Sequence, residues 1–167
     1  MSKLSFRIAR PADLQEMQYL FVDTVTNVCS EDYTEAQIQA WTSGVANTQR
    51  WLERFDEQYV LLAIINDQIA GFGTIKDGNY IDMFFVHTDF QRQGIAGKLY
   101  AQLEEKASEL NSDYIDSDVS ITAKPFFEKM GFNVLAKQSV ERQGIELVNY
   151  RMRKELNSGE LKVECYP

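Results

Sequence analysis

"VHTDFQRQGIAGKLY", residues 86–100, sets two glycines and a small alanine beside an arginine and a lysine. The stretch follows the apolar run "YIDMFFV" at 80–86 and precedes a strongly periodic segment. There Ile95, Leu99, Leu103, Ala107 and Leu110 recur at helical spacing, so the stretch reads as a strand handing over to an amphipathic helix. Glycines in such a turn allow close backbone approach, and the first N–H groups of the helix have no intrahelical acceptors. That combination is an anion site. A phosphate loop of the GxxxxGK[ST] kind would need glycine where Arg92 stands and a hydroxyl where Leu99 stands. The dinucleotide pattern GxGxxG fails too, because position 92 is arginine and no ribose-binding carboxylate follows in a βαβ unit. A glycine-eased turn without a ligand is the plain alternative.

Working outward, "YVLLAII", the turn "ND" and "QIAGFGTI" read as a hairpin, and "KDGN" leads into 80–86, giving a three-strand antiparallel meander. Upstream, "LSFRIA" is a strand with Leu4, Phe6 and Ile8 directed inward. Pro11 then opens a helix whose stripe runs Leu14, Met17, Phe21, Val25, Val28. "TEAQ" at 34–37 is a capping box for a helix through Trp41, and "TQRWLERF" adds a turn or two. Downstream, "DYIDSDVS" is a strand expected to run parallel to 80–86, because it follows a strand-helix unit. "ITAKPFFEKMGF" is a short helix with Pro125 in its first turn and Gly131 as its stop, and "FNVLAKQSVE", "RQG" and "IELVNYRMRKEL" form a closing hairpin. With no repeat, linker or low-complexity tract, one domain is expected over 1–167.

Lys and Arg number 17 against 25 Asp and Glu, a net charge of -8 that argues against nucleic acid as a partner. Two distant cysteines, Cys29 and Cys165, and a single histidine cannot assemble a Cys/His zinc cluster, so no metal is expected. The N-terminus lacks an apolar signal core, and no run is long enough to span a bilayer. These features imply a cytoplasmic protein with no membrane partner.

"QRQGIA" at 91–96 resembles the Q/R-x-x-G-x-G/A signature of the GNAT superfamily of acetyl-CoA-dependent N-acetyltransferases. "FFVHTDF" before it looks like the family's strand and turn, "SITAKPFFEKMGF" like its later strand-to-helix element, and "NYRMRKEL" like its last strand. The resemblance runs in order along essentially the whole chain. It implies an α/β fold with a mixed, mostly antiparallel central sheet of about seven strands, flanking helices, and two parallel strands that splay at the cofactor site. It also implies acetyl-CoA as cosubstrate. The backbone of Gln91, Arg92, Gln93, Gly94, Ile95, Ala96 and Gly97 would wrap the pyrophosphate, with Arg92 or Lys98 adding charge. The backbone of Phe85 and Val86 would pair with the pantetheine arm, between strands 80–86 and 114–120.

The implied reaction moves an acetyl group to a primary amine of a small molecule or peptide, and the ammonium, with a pKa of about 10, must first lose a proton. Asp82 is the candidate base; its other reading is a polar residue on the solvent side of a strand, and the two stay open. Alternation places it on the face shared with Phe84 and Val86. Relatives protonate the departing thiolate with a tyrosine in "FYEKxGF", but this chain has Phe127 there. Ser120 and Tyr150 are the candidate substitutes, with capping and core packing as their ordinary readings. His87 reads as a turn residue near the cofactor mouth; Phe126, Phe127 and Met130 read as helix core. Tyr33, in the region that shapes acceptor sites in the family, is a candidate substrate-binding residue beside Trp41 and Trp51. The missing tyrosine supports a different reading, a non-catalytic acyl-CoA-binding regulatory module. A homodimer is a frequent arrangement in the family.

Overall fold

The structure, a computed structural model, describes residues 3–156. Cys165 lies outside the described residues. Seven strands form one sheet: β1 (Ser5–Ile8), β2 (Gln58–Ile65), β3 (Gln68–Lys76), β4 (Tyr80–Val86), β5 (Tyr114–Ser120), β6 (Asn133–Arg142) and β7 (Ile145–Glu155). Their spatial order is β1-β2-β3-β4-β5-β7-β6, and every pairing is antiparallel except β4 with β5. The helices are α1 (Leu14–Val28), α2 (Glu35–Thr42), α3 (Thr48–Glu57), α4 (Ile95–Glu109) and α5 (Lys124–Lys129). Three hairpin turns place two successive residues at positive φ: Asn66 and Asp67, Asp77 and Gly78, Gln143 and Gly144. That double left-handed step matches the twist of paired strands.

Each face of the sheet has its own core, which is why β2 is apolar without interruption. Leu61 joins Leu99, Leu103, Ile115 and Met152 beneath α4, whereas Leu62 joins Leu20, Phe21, Trp51 and Phe72 beneath α1 and α3. Ile8 departs from its expected burial: it is 53% exposed, while Leu4 and Phe6 pack on the α4 face and Ala9 is buried in the core of the opposite face. α3 is longer than "TQRWLERF" suggests, because the Asn47 side chain accepts from the Arg50 N–H at 3.1 Å and caps a ten-residue helix. The Thr34–Gln37 capping box is present, with reciprocal bonds of 3.1 and 2.9 Å.

Two irregularities shape the middle of the sheet. In the β3–β4 ladder Gly73 faces Phe84 while Ile75 faces Ile81, so Thr74 opposes both Asp82 and Met83. This is a β-bulge, and the Met83 N–H is satisfied by the Thr74 hydroxyl at 3.0 Å. The extra residue breaks the alternation: Asp82 lies with Met83 and Phe85 on the α1–α3 face, where Arg54 and Gln58 bind it, and not with Phe84 and Val86 as simple alternation requires. The second irregularity follows at once. β4 and β5 pair only at Tyr80–Asp116 and Ile81–Ser117, the last contact being pinned by the Ser117 hydroxyl donating to the Ile81 carbonyl at 2.9 Å. Beyond it the strands separate. The far end of β5 is held elsewhere, since the Tyr33 hydroxyl accepts from the Ile121 N–H at 2.9 Å and donates to the Val148 carbonyl at 2.7 Å.

Gly71 lies against the last turn of this arrangement: a Cβ there would sit 2.9 Å from the Phe85 carbonyl oxygen, a backbone atom that cannot swing away. Gly71→Ala is expected to lower stability by about 1–3 kcal/mol, read as a lower urea midpoint at unchanged m-value. Gly44→Ala, which meets nothing within 4 Å, is the control and should stay near the parent.

Candidate active site

The gap between β4 and β5 has a cavity on each side of it. The larger, about 410 Å³, lies between the 91–97 turn and α5, with Val86, Gln91, Arg92, Gly94, Ile95, Ala96 and Gly97 in its wall. The smaller, about 220 Å³, lies toward β7 and holds Tyr33, Asp82, Asp118, Arg142 and Asn149. Trp41, Phe84, Phe85, Ser120 and Ala123 line both. The cavities therefore adjoin where the strands part.

The turn into α4 has the features of an anion cradle. Arg92 and Gly94 both adopt positive φ, 61° and 79°, which coils the chain just before the helix. The amides of Ile95, Ala96 and Gly97 belong to the first helical turn and have no acceptor four residues back. A Cβ at Gly94 or Gly97 would meet nothing within 4 Å, so open space lies over the turn. Gln91 reaches back to donate to the Val86 carbonyl at 2.6 Å, and Thr24 donates to the same oxygen at 3.1 Å. The His87 N–H bonds the Ala70 carbonyl, so by alternation Phe85 also directs its backbone to β3, while Phe84 and Val86 direct theirs to the gap. Phe85 thus meets the cleft with its ring, and only Val86 of the expected pair offers its backbone. Gln93 and Lys98 are exposed and lie outside the cavity wall.

Residues 29–154 match the family model of the acetyltransferase (GNAT) domain. The chain is 38% identical to the uncharacterized N-acetyltransferase YafP of Escherichia coli K12 over 153 residues, covering 92% of this chain and 97% of that one. This chain belongs to the GNAT acetyltransferase family. A GCN5-related N-acetyltransferase from Rhodopseudomonas palustris has the same fold, with a TM-score of 0.89 at 29% identity over 93% of this chain and 98% of the other. The PaiA N-acetyltransferase of Thermoplasma acidophilum, solved with coenzyme A, matches in fold at a TM-score of 0.76 and 14% identity, covering 92% and 99%. As a GNAT member the protein is an acyltransferase of the acetyl-CoA-dependent class.

Within this GNAT framework the candidate residues separate. Asp82 borders the inner cavity and a third, outer one. Its carboxylate accepts from Arg54 Nε at 3.0 Å and Gln58 Nε2 at 2.9 Å. Burial pushes its pKa up, but the bonds from Gln58 and Arg54, with the charges of Arg54 and Arg50, outweigh it and leave it below the usual 3.8. Ser120 lies in the shared wall, where its Oγ accepts from the Ala123 N–H at 3.0 Å; its own O–H is left to donate elsewhere. Tyr150 lines neither cavity and packs beneath Lys124, whose Nζ lies 5.3 Å from the ring centroid. The Tyr33 ring lines the inner cavity while its hydroxyl is spent on β5 and β7. His87 accepts from the Asp89 N–H at 3.0 Å and faces a separate hollow near Glu16 and Ile69.

Sequence reasoning missed other residues. Phe126 and Met130, expected as helix core, line the larger cavity, and buried Phe127 lines the inner one. Asp118 gathers Tyr80, Gln138 and Arg151 at 2.6–2.8 Å in the inner wall, and burial followed by that hydrogen bond drives the Tyr80 phenol far above its ordinary value. Alternation along "DYIDSDVS" offered a signal for Asp118, but its partners come from β4, β6 and β7, which no local pattern brings together.

Because the Asp82 pKa is lowered on folding, its pairing stabilises the protein above the unfolded-state value near 3.8 and loses that contribution as pH falls through the lower folded value. Asp82→Asn should be less stable than the parent at pH 7. The difference, measured by urea unfolding, should shrink below about pH 4. A constant difference from pH 7 to pH 3 would contradict the pairing.

Proposed function

We propose that the enzyme transfers the acetyl group of acetyl-CoA to a primary amine of a small molecule or peptide by direct attack. The observation that carries this reading is the shared wall of Phe84, Phe85 and Ser120, which brings a cleft beside an anion-holding turn against a second cavity containing Asp82. When bound, acetyl-CoA supplies the activated acyl thioester. The open space above Gly94 and Gly97, the free amides of the first α4 turn and the nearby Arg92 guanidinium fit its pyrophosphate. The gap-facing backbone of Phe84 and Val86 fits an amide-bearing arm lying as a surrogate strand. In this reading Tyr33 and Trp41 wall the acceptor site. The lowered pKa of Asp82 makes it a weak direct proton acceptor, so its assigned part is to take up the ammonium's proton through water. Ser120, in the shared wall with an uncommitted O–H, is favoured over Tyr150 as donor to the departing thiolate. A cytoplasmic setting, where acyl-CoA chemistry and a reduced Cys29 are both at home, completes the reading.

Two experiments test it. Gly97 is in a helix with open space about it, so Gly97→Ala should stabilise the unliganded protein through helix propensity by up to about 1 kcal/mol, read as a higher melting temperature. The same methyl should weaken the turn's hold on pyrophosphate, so coenzyme A should stabilise the variant less than the parent. Equal stabilisation removes the turn from the cofactor site. For turnover, free-thiol release from acetyl-CoA is followed against an amine panel; tight coenzyme A binding without release from any amine would favour the regulatory module. Asp82→Asn should cost about 10²-fold in kcat/KM at pH 7 and recover partly as pH rises toward the amine pKa. Asp82 itself is ionised well below this range, so the rising limb belongs to the amine. A variant profile parallel to the parent's and only slightly lower would end the assignment.

A further inference from the structure

Beside the inner cavity, and sharing Trp41, Asp82, Phe85 and Arg142 with it, lies an outer cavity of about 350 Å³. Its charged lining is Arg50, Arg54 and Arg142 against the single carboxylate of Asp82. This cationic excess stands out in a chain of net charge -8. Two of the guanidiniums have unused donors. Arg54 is held by Nε on Asp82 at 3.0 Å and lies 5.2 Å from the Trp51 ring centroid, so its position is fixed while its terminal nitrogens make no hydrogen bond in the described chain. The guanidinium of Arg142, at the end of β6, makes no hydrogen bond or ion pair with any described residue. Arg50 is partly neutralised by Glu53 at 3.7 Å and Glu57 at 3.5 Å. At the opposite end of the inner cavity, Asn149 stands opposite Ser120 in the β5–β7 register with a buried Oδ1 that has no donor.

The two ends differ in chemistry. The inner end offers an unfilled hydrogen-bond acceptor next to the wall shared with the larger cleft, which suits an N–H donor. The outer end offers forked cationic donors, which suit a planar anion. We infer that the acceptor is an amine that also carries a carboxylate, its nitrogen lying by Asn149 and its carboxylate on Arg142 and Arg54. This rests on the acetyl-transfer reading above and narrows its acceptor. The charge next to the site has the opposite sign to the chain's average, so net charge is no guide to this acceptor.

The test uses matched probes: β-alanine, γ-aminobutyrate and phenylalanine, each with its neutral carboxamide. For parent, Arg142→Ala, Arg142→Lys and Arg142→Glu, the carboxylate-to-carboxamide ratio of kcat/KM is measured. Comparing ratios between variants cancels each amine's own basicity. The parent should favour the carboxylate of at least one pair by about tenfold, the scale of a charge-assisted hydrogen bond. The ratio should fall toward one in Arg142→Ala, be partly kept in Arg142→Lys and invert in Arg142→Glu. In parallel, the shift in melting temperature that each probe gives the coenzyme A-bound protein is recorded. If no amine is acetylated, yet carboxylates stabilise the parent complex and not Arg142→Ala, the acetyl-transfer reading fails and the anion site stands. If neutral amines turn over and the ratio is the same in parent and Arg142→Ala, the anion site is overturned and the acetyl-transfer reading stands. No carboxylate preference in either rate or melting temperature overturns the inference outright.

Discussion

A sheet that parts two neighbouring strands in its middle leaves backbone N–H and C=O groups facing a gap, and buried groups of that kind are costly unless something pairs with them. β4 and β5 accept this after only two paired positions. Much of the surrounding structure bears on that cost. Thr24 and Gln91 take the Val86 carbonyl, and the Tyr33 hydroxyl takes the Ile121 N–H at the far end of β5. The Phe84 groups and the Val86 N–H are left to the gap, and an extended ligand with amide groups of its own is the partner of suitable shape. The gap is thus held open by specific side chains and is not a packing defect.

The bulge at Asp82 and Met83 serves the same geometry. An extra residue increases local twist and re-aims the side chains around it. In β4 it falls immediately after Ile81, the last residue paired to β5, so the bend and the divergence coincide. It also gives Asp82 a different set of neighbours. On the α4 face the carboxylate would lie among Leu99, Leu103 and Phe84; on the α1–α3 face it finds Arg54 and Gln58. Those donors are supplied by α3 and the start of β2, which links the segment before the sheet's central hairpin to the chemistry of the gap.

What the sequence disclosed follows from how local its causes are. Hairpins at "ND", "DG" and "QG", the Thr34 capping box and the α4 stripe from Ile95 to Ala107 are written in a few adjacent residues, and each is present; Leu110, expected in the stripe, caps the helix and is exposed. The glycine turn was legible for the same reason, because strand, glycines and helix succeed one another within fifteen residues. Ile8 follows the alternation of Leu4 and Phe6, but alternation does not show that the strand's end is left uncovered on that face; Ala9 is buried in the core of the other face. Asp82 was placed on the wrong face because a bulge depends on the partner strand, here on a threonine eight residues upstream. The Asp118 cluster and the arginine-lined cavity were invisible, since each gathers residues from separate segments.

Phe127 shows how packing can override a chemical expectation. Its ring is 3% exposed and meets Phe84, Phe126 and Phe132 with centroids at 5.0–5.7 Å, so it belongs to a continuous aromatic cluster under the gap. A phenol there would need a hydrogen-bond partner, and the neighbouring rings provide none. The apolar residue keeps this wall of the inner cavity free of an unsatisfied hydroxyl. The chemistry tolerates the exchange, because a thiol with a pKa of about 8.5 leaves adequately as its anion. In the reaction we propose, a proton from Ser120, which sits in the wall common to both cavities, would assist the same departure without disturbing the cluster. The position that the resemblance assigns to the acid is thus filled in this protein by a ring of the aromatic core.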